Sequence, residues 1–178
     1  MEADLLKVDT WDKAVEGCQY VIHVASPVLF GDQYTLDDLC KPAVEGTLAI
    51  LRACQKHKVK RIVITSSVAS MMYNPNHQTG RLITEEDWSV PSAGRFYDQS
   101  KTAAELAVWN FMKDLPEEEK FEVVSLHPSG LTGPNMIYGD FGSGAVFAAL
   151  VNNLFPGGLP VVKFPFVDVR DCARIHIQ

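Results

Sequence analysis

The 178-residue sequence has no apolar run approaching the ~18 residues of a membrane span. Its first residues, Met1-Glu2-Ala3-Asp4, are acidic and lack an apolar signal region. Cysteine is sparse: Cys18, Cys40, Cys54 and Cys172 form no Cys-x-x-Cys pair, so reduced thiols and no metal centre are expected. Positive charge is also short, with a formal net charge of −6, which disfavours nucleic acid and anionic membranes as partners. The one cationic cluster, Lys56-His57-Lys58-Val59-Lys60-Arg61, falls where a helix would end before a strand, and interaction with the helix C-terminus explains it. No Gly-Lys-Ser/Thr accompanies the glycine-rich stretch Gly139–Gly144, which excludes a P-loop, and no internal repeat is present. A soluble, cytoplasmic protein is the expectation.

What is there has ordinary globular composition, 47% hydrophobic and 21% charged, at a length that suits one domain with a substantial core. A short helix is expected over 10–15, capped by Asp9 or Thr10 and closed by Gly17. Tyr20-Val21-Ile22-His23-Val24-Ala25 is continuously apolar and β-branched, and reads as a buried parallel strand with His23 a hydrogen-bonded core residue. Leu36, Leu39, Cys40, Ala43, Val44, Leu48, Leu51 and Cys54 follow a helical period, with Pro42 marking a first turn or a kink. Strands are expected over 61–67 and 121–126. After the first of these a long polar stretch runs from Tyr73 to Gly94, in which Thr84-Glu85-Glu86-Asp87 looks like a helix-starting capping box. Ser143 is the expected cap of an apolar helix over 145–154, and 164–171 reads as a short strand leading into a helix. Strands alternating with helices indicate a doubly wound parallel α/β sheet, where ligands bind at the carboxyl ends of strands.

The segment around which these elements are arranged is Phe96-Tyr97-Asp98-Gln99-Ser100-Lys101. On a helix, Tyr97 and Lys101 are neighbours four residues apart, so a phenol and an ammonium project into the same space. A phenol of pKa about 10 is a weak donor at neutral pH, and a nearby ammonium is expected to bring it down. The stripe Tyr97, Lys101, Ala104, Val108 and Phe111 is otherwise apolar, and a lysine on it is unexpected for a helix that only fills a core.

Taken together, several stretches resemble the extended short-chain dehydrogenase/reductase superfamily, and within it the dihydroflavonol reductase and cinnamoyl-CoA reductase-like branch. They are Ala3-Asp4-Leu5, His23 to Pro27, Lys41 to Leu48, Thr65-Ser66-Ser67, Tyr97 to Lys101 with Ala104-Glu105, His127-Pro128 through Gly133-Pro134, and Phe166 to Asp171. The resemblance implies a Rossmann-like fold, with residues 1–160 a partial nucleotide-binding domain and 161–178 the start of a substrate lobe. It implies catalysis by Ser67, Tyr97 and Lys101, the last also binding cofactor. Asp4 and Leu5 would lie at the adenine, Val24, Ala25 and Ser26 beside the adenine ribose and phosphates, and Pro128, Ser129, Gly130, Leu131 and Ser143 on the nicotinamide side. The implied activity is NADPH-dependent reduction of a small or phenolic carbonyl, with NAD possible. A sugar-nucleotide epimerase or dehydratase and a non-catalytic fragment are the alternatives.

Two departures stand out: the superfamily's Gly-x-x-Gly-x-x-Gly loop is absent, and so is the strand-final stretch of the substrate lobe; a smaller one is Ala43, where many relatives carry an Asn used in proton relay. The first βαβ unit and most of the substrate lobe are therefore expected to be missing. Strand 20–25 should carry a bare edge, and Asp4 and Leu5 should hang without a neighbour.

Overall fold

A threonine and an aspartate three residues apart begin the longest helix. Thr35 Oγ1 accepts the Asp38 N–H at 3.3 Å, and Asp38 Oδ2 accepts the Thr35 N–H at 2.8 Å. This reciprocal cap opens α2 (Leu36–Lys56), which runs unbroken through Pro42 in its second turn. The computed structural model describes residues 1–29, 33–77, 80–136, 142–152 and 165–178. They form two compact units, Met1–His127 and Pro128–Gln178. The expected domain boundary at 160, residues 139–141 of the Gly139–Gly144 stretch and the end of the helix expected to reach Leu154 lie outside the described residues.

The first unit holds three parallel strands in the order β1 (Tyr20–His23), β2 (Arg61–Thr65), β3 (Glu122–Leu126). Register places Val21, Ile62 and Val123 in one row and His23, Ile64 and Ser125 in the next. Because side chains alternate across a strand, these two rows share one face. Over that face pack α1 (Asp9–Val15), α2 and α4 (Phe96–Asp114), burying Val15, Ile50, Leu51, Cys54, Ile62, Ile64 and Val108 in one cluster. A single helical turn, α3 (Ala69–Met72), follows β2 and packs on α4.

Several expectations are corrected. The β1 segment is shorter than Tyr20–Ala25 and is not buried on both faces: among the described residues it pairs with β2 alone, and Tyr20 and Ile22 are 63% and 46% exposed. The cap of α1 is neither Asp9 nor Thr10; the helix starts from Val8, and the Thr10 hydroxyl instead donates to Lys7 O at 2.6 Å and accepts the Asp4 N–H at 3.1 Å. Gly17 does close α1, with a left-handed φ of 77°. Thr84 and Asp87 pair as a capping box would, but they close an isolated turn, tied by Asp87 to Arg81, with no helix after it. The cationic run is occupied by neighbours as well as by a helix end: Lys56 and His57 meet Asp12 at 2.7 and 2.8 Å, and Arg61 meets Glu122 at 2.6 Å.

Asp4 and Leu5 do not hang free. Asp4 and Lys7 form an isolated bridge held to Thr10, and Leu5 lies so close to α2 that a Cβ on Gly46 would come within 2.6 Å of its Cδ2. Absence of a side chain at residue 46 is what admits Leu5.

In the second unit β4 (Gly130–Thr132) runs parallel to β5 (Phe166–Asp168), joined by α5 (Ser143–Val151) and followed by α6 (Val169–His176). The segment after His127 thus contains a short strand. Asp168 caps α6 by accepting the Arg170 N–H at 2.8 Å.

Candidate active site

The inward face of α4 is polar where a core helix would be apolar. Asp98, Ser100, Lys101, Thr102 and Glu105 are all buried there, ahead of the apolar Val108. The helix is anchored at its start by Asp98, whose carboxylate accepts the Arg95 N–H at 2.8 Å. Gly94 sits at φ 78°, and a Cβ added to it would stand only 2.7 Å from Asp98 Cβ. These contacts set the rotation of the first turn, which carries Tyr97.

Ser67, Tyr97 and Lys101 converge. Ser67 stands close enough to the Tyr97 hydroxyl to lower its pKa, and Lys101 Nζ lies 5.9 Å from the centre of the Tyr97 ring. Ser67 stands just beyond β2 and accepts the Ala69 N–H at 3.2 Å, so the start of α3 orients its hydroxyl. Lys101 is only 7% exposed and donates to Thr65 O at 3.3 Å. Burial pulls its pKa from 10.5 to about 8, against the opposing pull of the Glu105 charge. The expected lowering of the phenol is not found: burial raises the Tyr97 pKa, partly offset by the Ser67 hydrogen bond and reinforced by Asp98.

A recess at the carboxyl ends of β1 and β2 is lined by Ala25, Ser26, Thr65, Ser66, Lys101 and Glu105. Two of the expected cofactor residues, Ala25 and Ser26, therefore share a cavity with Lys101, whereas Val24, just past β1, is 61% exposed. His23 faces the same recess. It is buried, stands edge-on to Trp11 with ring centres 5.8 Å apart, and is held neutral, near pKa 4, by burial and by the Lys101 charge. Asp4 and Leu5 are in the first unit near α1 and α2. Pro128, Ser129, Gly130, Leu131 and Ser143 belong to the second, where the Leu131 N–H donates to Ser143 Oγ at 3.1 Å and the Gly130 N–H to Pro165 O at 3.2 Å. Ser143 is the first residue of α5 rather than a residue before it.

Sequence reading passed over Glu105 and His127 as functional groups. Glu105 is 5% exposed and accepts from Ser66 Oγ, from Ser70 Oγ at 2.7 Å, from His127 Nε2 at 2.6 Å and from Trp109 Nε1 at 3.4 Å. Burial alone would raise its pKa, but the hydrogen bonds and charge of His127, with those of Ser66 and Ser70, hold it near 2. The available signal was its spacing: Glu105 lies four residues after Lys101, on the same side of the helix.

A lysine has three N–H donors. One is directed at Thr65 O, and the remaining two suit neighbouring hydroxyl acceptors such as those of a sugar. With Ser26 beside it, this donor set fits the ribose of a nicotinamide nucleotide. Among the described residues no group of three or more His, Cys, Asp or Glu could hold a metal ion, and no helix is long and apolar enough to cross a membrane.

Comparison with known proteins agrees with this architecture. The chain is 33% identical over 182 residues to a cinnamoyl-CoA reductase of Medicago truncatula, covering 99% of this chain and 54% of that protein. It is 30% identical to an anthocyanidin reductase of Arabidopsis thaliana, covering 99% of this chain and 55% of the relative. The crystal structure of yeast methylglyoxal/isovaleraldehyde reductase complexed with NADPH superposes with a TM-score of 0.77 at 30% identity, covering 98% of this chain and 57% of the other. The chain thus spans about half the length of the curated relatives it matches, and its parallel strands and helices are Rossmann-like. Residues 1–152 match the 3-beta hydroxysteroid dehydrogenase/isomerase family, and to that family the chain belongs.

Proposed function

We propose that this chain carries the proton-donating centre of an NADPH-dependent reductase acting on an aldehyde or ketone carbonyl of a small or phenolic molecule. The observation that carries the reading is the half-buried Tyr97 phenol under the influence of Ser67, with the buried Lys101 ammonium 5.9 Å from its ring centre. The reductase names of the relatives and the NADPH of the yeast structure support it.

Bound NADPH supplies the hydride that reaches the carbonyl carbon. Tyr97 Oη gives its proton to the carbonyl oxygen, and Ser67 Oγ holds that oxygen by a hydrogen bond. The raised pKa of Tyr97 keeps the donor protonated at neutral pH, so the proton is present when substrate arrives. Lys101 holds the nicotinamide ribose through its remaining donors, and its positive charge stabilises the phenolate left after transfer. Asp4 and Leu5 serve the adenine, Val24, Ala25 and Ser26 its ribose and phosphates, and Pro128, Ser129, Gly130, Leu131 and Ser143 the nicotinamide. The four thiols, all free, suit the cytosol.

The test is Tyr97→Phe, which keeps the ring and removes the proton. NADPH oxidation with carbonyl substrates, followed by absorbance, should fall about 10²–10⁴-fold while NADPH affinity stays near normal. Unchanged turnover would remove Tyr97 as the donor.

A further inference from the structure

The residues that orient Ser67 are themselves held by one buried carboxylate. Ser66 leaves the end of β2 with its N–H on Leu126 O of β3 at 2.8 Å and its hydroxyl on Glu105. Ser70, fully buried in α3, places its Oγ 2.7 Å from Glu105 Oε2 and 2.8 Å from Ser67 O. A hydroxyl has one proton, and a carboxylate is the stronger acceptor; the Ser67 carbonyl keeps the Ser70 N–H at 3.0 Å. His127, just beyond β3, donates Nε2–H to the other carboxylate oxygen at 2.6 Å. Glu105 therefore gathers the ends of β2 and β3 and the turn of α3 onto α4, one helical turn past Lys101.

We propose that Glu105 is a positioning residue for the Ser67–Tyr97–Lys101 centre: it fixes the Ser67 hydroxyl against Tyr97 and supplies the negative charge that keeps Lys101 an ammonium. A carboxylate buried solely for stability would be a poor choice, because desolvating it consumes much of what its hydrogen bonds return. Here both the donors and the neighbouring cation belong to the site. The ionisable groups facing Lys101 are Glu105 and Tyr97 on α4 and His23 on β1. His23 is neutral above about pH 5, which leaves Glu105 as the opposing charge.

The role in turnover rests on the reductase reading, whereas the effect on Lys101 does not. Glu105→Gln keeps the shape, and the serine hydroxyls and His127 can reorient to the amide, so the fold should persist. The Lys101 midpoint, followed by NMR of ¹³C-dimethylated lysine in the purified protein, should drop by about one pH unit, as a charge one turn away in a partly shielded site implies. The Tyr97 ¹³Cζ midpoint should rise as Ser67 loosens, and kcat should fall about tenfold or more with the Michaelis constant for NADPH little changed. Glu105→Asp, which retains the charge on a shorter arm, should leave Lys101 close to its original midpoint yet still raise that of Tyr97; it also serves if the Gln variant does not fold. A Lys101 midpoint unmoved in Glu105→Gln, or a Tyr97 midpoint unmoved in both variants, would overturn the proposal. A wild-type protein that oxidises no NADPH with any carbonyl would defeat the reductase reading, and the two NMR midpoints would still decide the role of Glu105.

Discussion

Replacing Lys101 by Met should make the protein more stable while abolishing its chemistry. In the unfolded chain a lysine titrates near 10.5, and in the fold burial brings Lys101 to about 8. That displacement corresponds to about 3 kcal/mol of differential cost for holding the charge inside. Met fills the same linear volume without a charge, though it forfeits the hydrogen bond to Thr65 O, worth about 1–2 kcal/mol. The net gain is then on the order of 1–2 kcal/mol at pH 7, a Tm rise of about 2–8 °C. The sign with pH follows from proton counts. Below pH 8 both states are charged and the wild type bears the full cost. Between 8 and 10.5 the folded state is neutral while the unfolded state still binds a proton, so wild-type stability climbs and the advantage of Met fades. Differential scanning calorimetry of both proteins at pH 7 and pH 10 measures this directly. A Lys101→Met protein that melts lower than wild type at pH 7, or whose advantage does not shrink by pH 10, would refute the claim that Lys101 is a strained, functional charge.

Three further outcomes follow from the same geometry. Tyr97→Phe should lose about 10²–10⁴-fold in turnover while retaining NADPH affinity, by steady-state kinetics and fluorescence titration. Gly94→Ala puts a Cβ 2.7 Å from Asp98 Cβ at a φ of 78°, so urea denaturation should show a loss of about 2–3 kcal/mol, and a change below about 0.5 kcal/mol would mean that the start of α4 is not held as described. Ile22→Lys places a charge on the open side of β1, where Tyr20 and Ile22 are exposed, and should reduce concentration-dependent association in light scattering without lowering stability by more than about 0.5 kcal/mol; unaltered association would show that this edge is not the contact.

Much of the local structure was legible because local forces make it. The 3.6-residue period of α2, the β-branched run of β2 and the left-handed Gly17 depend on neighbours a few residues away. The Tyr97–Lys101 spacing was equally readable, since a helix alone brings residues four apart together. Where reading failed, partners distant in the chain decided the outcome. The apolar 20–25 run reads as buried throughout, yet Tyr20 and Ile22 are exposed, because which face of a strand is covered is set by elements distant in the chain. Thr84 and Asp87 have the chemistry of a helix start, yet Asp87 is drawn to Arg81 and the chain turns away.

Sequence by itself determined the alternation of strands and helices and the family, because periodicity, caps and motif spacing are properties of short segments. Tertiary structure alone decided the state of charge at the candidate site. The depressed Lys101, the raised Tyr97 and the ionised Glu105 arise from burial and from partners up to 39 residues away, as with Ser66. Desolvation and Coulomb interaction act through space, and no local pattern of residues records which distant groups the fold will bring within their reach.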